Sequence, residues 1–142
     1  MHNGYQNYFE NEILAADPLK LVQLLYRGAL EALECARRHL RSGDIRARSR
    51  AITKALAILH ELSSSLDHSK GLELSTSLAE MYDYIERLLI DANTRQVEAP
   101  LKEAEQLLTT LLEAWQALAP VEPVAGANPG YEEPERESLS YA

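Results

Sequence analysis

Apolar residues recur every three to four positions along most of the chain, and four long stretches show this helical period. The first starts at Asp17-Pro18 and ends near Gly43, which predicts a helix over about residues 18–41, because Asp and Pro start helices and Gly closes them. Three more helices are predicted from Ile45 to the serines near residue 63, over about 72–92, and from Pro100 to about 118. Their short connections favour an all-α fold, an antiparallel up-and-down four-helix bundle.

The predicted helices leave a segment of different composition at each end, so we divide the chain into an N-terminal arm (1–16), a bundle (17–118) and a tail (119–142). The arm is apolar enough to pack against the bundle, with Tyr8 and Ile13 among its apolar side chains. The tail has four prolines and five glutamates. That composition buries too little apolar surface to order a chain, so the tail is predicted to be disordered.

The first helix is apolar over more of its circumference than one core contact requires. One stripe, with Val22, Tyr26 and Leu33, is predicted to face the core. A second stripe adjoins it and consists of Leu21, Leu24, Gly28, Ala32 and Cys35. Because exposed apolar surface costs about 25 cal/mol per Å², this second stripe is expected to meet another helix or a partner. In the third and fourth helices the predicted inner faces include Leu74, Ala114, Trp115 and Leu118.

The composition excludes several classes of protein. The single cysteine, Cys35, rules out an intrachain disulfide and favours a reducing, cytosolic setting. No apolar run reaches the ~18 residues of a membrane span, so no membrane insertion is expected. The net charge is −8, of which the tail supplies −4. The arginines between Arg37 and Arg50 are interpreted as a solvated corner and not as a nucleic-acid site, since no interleaved aromatic residues accompany them.

Residues that would support catalysis are missing from the sequence pattern. The four histidines lack the spacing of metal ligands, and there is neither a phosphate-binding glycine loop nor a nucleophile elbow. No enzyme activity, metal or cofactor is therefore predicted. Tyr84 lies at the border of the apolar arc of its helix, where a half-exposed ring with a polar tip suits a contact surface.

The run "ADPLKLVQLLYRGALEALECA" resembles the first helix of the FliS family of flagellar export chaperones. The segments "ITKALAILHELSSSLD", "LAEMYDYIERLLIDAN" and "LLEAWQAL" are similar to that family's second, third and fourth helices, in the same order. The resemblance implies a cytosolic chaperone that binds the disordered C-terminal segment of flagellin, prevents its premature polymerisation and delivers it for type III export. It also implies that flagellin contacts the second stripe at Leu21, Leu24, Gly28 and Ala32, with Tyr84 at one edge, and that Tyr8 and Ile13 of the arm cover this surface when flagellin is absent.

Two other interpretations use the same second stripe. A dimerising helical-bundle protein would bury Leu21, Leu24 and Ala32 against their copies, and a sequestering regulator would bind a transcription factor there. The resemblance also allows contacts with the flagellar export apparatus or with regulatory proteins. A monomer or weak dimer is expected.

Overall fold

The computed structural model describes residues 17–118, so the predictions for the arm and the tail lie outside the described residues. Four helices follow one another: α1 (Pro18–Ser42), α2 (Ile45–Ser64), α3 (Leu72–Arg95) and α4 (Ala99–Ala117). A short 3-10 turn, His68–Lys70, lies between α2 and α3. The all-α prediction of four helices is confirmed.

The caps of α1 explain why it begins and ends where the sequence predicts. The Asp17 carboxylate accepts a hydrogen bond from the Lys20 backbone N–H at 2.8 Å, and Pro18 occupies the first turn, where a missing N–H costs nothing. Gly43 adopts φ 77°, a left-handed conformation that closes the helix and that glycine reaches without strain. Asp44 then caps α2 by accepting from the Ala47 N–H at 3.0 Å.

The C-terminal end of α3 differs from the sequence-based prediction. α3 continues past the predicted end near residue 92 to Arg95, and Gln96 closes it in the left-handed conformation at φ 57°. This helix end was hard to predict from the sequence, because Gln96 occupies the left-handed position after the helix that is usually a glycine. α4 begins at Ala99, with Pro100 in its first turn as expected.

Each helix packs against two neighbours. α1 lies against α2 and α4, and α3 lies against the same two helices, so α1 and α3 are diagonal across the bundle. The α1–α2 interface is the most extensive of the four. Large apolar side chains fill the centre, where Leu33, Leu59, Ile85, Leu89 and Leu108 have no exposed surface.

Three residues predicted to face inward are exposed instead. Leu74 and Leu118 are 55% and 64% exposed, and Ala114 is also exposed. Leu74 lies in the first turn of α3, and Leu118 follows the last residue of α4. Side chains at these ends extend past the neighbouring helices, so an inward direction on the helical wheel no longer means burial. Trp115 is half-buried and packs against the core.

Candidate binding surface

The second stripe of α1 meets another helix of the same chain along part of its length. A β-carbon placed on Gly28 would lie 3.3 Å from Cδ1 of Ile58 on α2. Gly28 therefore lets the Ile58 side chain of α2 approach α1 closely, while the residue itself stays half-buried. A flagellin contact at Gly28 stays a prediction. Ala32 is 4% exposed and belongs to the core, so its assignment to an open stripe is corrected.

The outer part of the stripe stays partly open. Leu21 and Leu24 are half-buried, as is Cys35 farther along α1. The Cys35 sulfur accepts a hydrogen bond from Nη2 of Arg38 at 3.1 Å. Leu21, Leu24 and Gly28 thus keep part of their surface exposed, whereas Ala32 is buried in the core. A binding role for any of these residues stays a prediction.

Tyr84 occupies a different face of the bundle from the second stripe. It is 42% exposed on α3, and its hydroxyl donates a hydrogen bond to the carboxylate of Glu103 on α4. This bond, with some burial and the negative charge of Glu103, raises the pKa of Tyr84 above its usual value. Gly28 lies against Ile58 of α2, whereas the Tyr84 hydroxyl is bonded to α4, so Tyr84 and the second stripe lie against different helices. That Tyr84 contributes an edge to the flagellin-binding surface stays a prediction.

A group of exposed leucines lies at the end of the bundle where α1 begins and α4 ends. Leu72 and Leu74 are in the first turn of α3, and Leu118 follows α4. The antiparallel arrangement brings these two helix ends to the same end of the bundle. Sequence reasoning missed this group, although a signal was present: both leucines of α3 closely follow Gly71, within the first turn of the helix.

Polar side chains inside the bundle form a hydrogen-bonded network that connects three helices. The hydroxyl oxygens of Tyr26 on α1 and Tyr82 on α3 lie 2.6 Å apart, and Trp115 on α4 donates its Nε1–H to the Tyr26 hydroxyl at 3.1 Å. Tyr26 and Tyr82 are completely buried. The network thus joins the diagonal helices α1 and α3 to each other and to α4.

The arginine-rich corner between α1 and α2 is only partly solvated. Arg37 donates to Glu98 at 3.0 Å and to Glu105 at 2.6 Å, and Arg41 also reaches Glu98. These hydrogen bonds, from Arg37 first and then Arg41, lower the pKa of the Glu98 carboxyl. α1 is thereby tied to the start of α4.

Arg48 corrects the interpretation of a solvated corner most directly. It is 4% exposed, and its Nε donates to the Asn93 side-chain oxygen at 2.9 Å. Its Nη2 donates to the Asn93 backbone carbonyl at 3.4 Å, near the C-terminal end of α3 where a positive charge is favoured. The Ser49 hydroxyl donates to the same side-chain oxygen at 3.4 Å. Arg48 therefore joins α2 to α3.

The part of the chain that the structure describes shows neither a cluster of metal ligands nor a membrane-spanning helix. No group of three His, Cys, Asp or Glu side chains within residues 17–118 is arranged to hold a metal ion. None of the described helices combines the length and apolar composition needed to cross a lipid bilayer. What the arrangement offers is apolar surface on several faces of a tightly connected bundle.

Comparison with known proteins places this bundle in a family. The sequence model of the family described as Flagellar protein FliS matches residues 1–122. The flagellar secretion chaperone FliS of Salmonella typhimurium is 39% identical over 112 residues, covering 78% of this chain and 83% of the relative. That of Bacillus subtilis is 32% identical over 116 residues, covering 82% and 86%. FliSB of Pseudomonas aeruginosa is 33% identical over 119 residues, covering 84% and 94%. The chain therefore belongs to the FliS family of flagellar secretion chaperones, which are chaperones and not enzymes.

Proposed function

We propose that this chain binds the C-terminal segment of flagellin in the cytosol, keeps it from polymerising prematurely and delivers it for flagellar type III export. Membership of the FliS family supports a role in flagellar secretion. The choice of flagellin as the client rests on the resemblance of the four helices and on the type of surface that the bundle offers.

The observation that carries the proposal is the distribution of exposed apolar side chains. Tyr84 lies on the α3–α4 face, Leu24 on the α1–α2 face, and Leu74 at the end of the bundle. A compact partner would contact one of these faces. A segment without structure of its own can wrap around the bundle and cover several of them, since such segments bind over large surfaces. The separation of Tyr84 from the second stripe therefore suits a wrapping client.

The structure disfavours a symmetric dimer built on the second stripe. Ala32 is buried in its own chain, and Gly28 already faces Ile58. Only the half-buried Leu21 and Leu24 remain for such an interface. A stable interface buries about 800 Å² on each partner, far more than two half-buried leucines supply.

The test is to titrate the purified chain with the C-terminal segment of flagellin from the same cell. Calorimetry measures the binding, and size-exclusion mass gives the stoichiometry of the complex. We expect a one-to-one complex and an increase in helical circular dichroism, because a wrapping segment becomes ordered as it binds. The N-terminal segment of the same flagellin is the matched control and should not bind. Equal binding of both segments, or of neither, would contradict the proposal.

A further inference from the structure

Charge is divided unequally between the two halves of the bundle. α1 and α2 together carry nine Lys and Arg residues against three Glu residues. α3 and α4 together carry three Lys and Arg residues against eight Asp and Glu residues. The α1–α2 half therefore has a net charge of +6 and the α3–α4 half a net charge of −5, although the whole chain is acidic at −8.

Three of these positive charges lie on one face of α2, which we call the basic face: Arg46, Arg50 and Lys54. Their spacing of four residues places them along one side of the helix, and all three are exposed. None of them forms an ion pair with another residue in the range 17–118. By contrast Arg37, Arg41, Arg87 and Arg95 are all paired with carboxylates. Exposed Lys20, Arg27 and Arg38 on α1 add to the positive charge of the α1–α2 half.

The C-terminal part of the chain carries the opposite charge. Residues 132–137 read EEPERE and contain four glutamates and one arginine. The family model ends at residue 122, so this acidic segment is additional to what the family shares. It therefore supplies a concentration of negative charge attached to a bundle whose basic face is left unpaired.

The connecting residues are long enough to bring the two together. α4 has 19 residues and is ~28 Å long at ~1.5 Å per residue, which is the largest distance along the bundle that the chain must return. Residues 119–131 lie between Leu118 and the acidic segment, and at ~3.3 Å per residue these thirteen residues span up to ~43 Å. α2 is diagonal to α4, so the segment must also cross the bundle by roughly 20 Å, about two interaxial distances. The combined path of roughly 35 Å is still shorter than the ~43 Å that the connecting residues span, so the acidic segment can reach α2 from the far end of α4.

We propose that the acidic segment 132–137 docks on the basic face of α2 in its own chain. The binding is electrostatic: carboxylates of the segment lie beside Arg46, Arg50 and Lys54, with a high local concentration because both are in one molecule. Each exposed pair contributes little by itself, so the contact depends on several pairs and weakens as salt screens them. The docked segment covers the basic face and excludes other acidic segments from it. This proposal is independent of flagellin binding.

The experiment places a nitroxide label on the tail and follows its effect on backbone amide signals of the full chain by NMR. Cys35 is the only cysteine, so Cys35→Ser with Ser138→Cys directs the label to a position beside the acidic segment. At low ionic strength we expect the amide signals of residues 46–54 to be weaker with the active nitroxide than in the same sample after the nitroxide has been reduced. At ~1 M salt, where the screening length is ~3 Å, the intensity should return.

Two sets of variants provide the controls. Arg46→Gln with Arg50→Gln and Lys54→Gln should abolish the intensity loss on α2. The matched set Arg87→Gln, Arg95→Gln and Lys102→Gln removes three positive charges from the α3–α4 half and should leave the loss unchanged. Replacing the four glutamates of the acidic segment by glutamine should also abolish it.

Several results would overturn the proposal. One is an intensity loss that is absent from α2, spread evenly over all helices, or insensitive to salt. A second is an effect seen when spin-labelled chain is mixed with a separate isotope-labelled chain, which would show that the segment binds another copy. A third is a shift of α2 signals on addition of a hexaglutamate peptide while the tail itself has no effect, which would assign the face to an external acidic partner.

Discussion

The hydroxyl groups of Tyr26 and Tyr82 meet at 2.6 Å in the buried centre of the bundle, joining two helices that otherwise lie diagonal to each other. Trp115 donates a second hydrogen bond to Tyr26. Tyr26 on α1 is therefore bonded both to Tyr82 on α3 and to Trp115 on α4.

Replacing these tyrosines by phenylalanine should show how much their hydroxyl groups contribute to stability. Tyr82→Phe removes the hydrogen bond to Tyr26 and is expected to lower the free energy of unfolding by about 0.5–1.5 kcal/mol. Tyr26→Phe also removes the acceptor of the Trp115 N–H, so it should in addition change the fluorescence of Trp115, the only tryptophan. Urea unfolding followed by circular dichroism measures the stability of both variants. Unchanged stability of both variants, or unchanged Trp115 fluorescence in Tyr26→Phe, would contradict this expectation.

Gly28 should tolerate one extra carbon but not a large side chain. Gly28→Ala gains about 1 kcal/mol of helix propensity, and its β-carbon needs only a small shift of the flexible end of Ile58. We expect its thermal stability to equal or exceed that of the wild type. Gly28→Leu should be destabilising by about 1–3 kcal/mol, because the larger side chain pushes against α2. Unchanged stability of Gly28→Leu would mean that α1 and α2 are not in close contact there.

Leu24 offers the sharpest test of the proposed client surface on α1. Leu24→Asp places a charge where an apolar segment would lie, and it should weaken flagellin binding at least about tenfold, which is ~1.4 kcal/mol. The bundle should still unfold cooperatively, since Leu24 is not part of the buried core. Gln106→Asp, on an exposed position of α4, is the matched control and should bind normally. Calorimetry with the flagellin segment compares the two. Normal binding by Leu24→Asp would remove α1 from the proposed surface.

Arg48 and Arg46 are expected to differ strongly although they are two residues apart. Arg48 is buried and bonded to Asn93, so Arg48→Ala should lower the free energy of unfolding by about 1.5–3 kcal/mol. Arg46 is exposed, and Arg46→Ala should change it by less than about 0.5 kcal/mol. Equal effects in a urea titration would restore the interpretation of a uniformly solvated corner.

The ion pairs of Glu98 should make stability depend on pH in a defined direction. Arg37 and Arg41 lower the pKa of Glu98 in the folded state, so the carboxylate stabilises the fold above the ordinary glutamate pKa. This contribution is lost as the pH falls through the lowered folded-state pKa. The difference in unfolding free energy between wild type and Glu98→Gln should therefore be largest near neutral pH and shrink in acid.

The matched control for the pH experiment is Glu113→Gln, at an exposed glutamate of α4 that forms no ion pair with any other residue in 17–118. The effect of Glu113→Gln on the free energy of unfolding should be small both near neutral pH and in acid. If the Glu98→Gln difference grew as the pH fell, the sign of the coupling between Glu98 and the arginines would be the reverse of that inferred here.

The sequence alone determined the helices, their caps at Asp17 and Asp44, the four-helix order and the family. These features depend on neighbours within a few residues or on a helical period that repeats along the chain. The candidate site was predicted only as a set of residues: Leu21 and Leu24 are partly open, Tyr84 lies against a different helix, and the binding role of all three stays a prediction.

Only the tertiary structure decided which element covers each apolar residue. An amphipathic pattern shows how wide an apolar arc is, and it does not say which helix faces each part of it. Ala32 is buried and Gly28 half-buried, with Ile58 of α2 packed against Gly28, whereas Leu74 and Leu118 are exposed at helix ends. Arg48 is buried because the end of α3 supplies the oxygen atoms of Asn93, which lies 45 residues away along the chain. Burial of this kind depends on contacts between distant parts of the sequence, and local pattern carries no information about them.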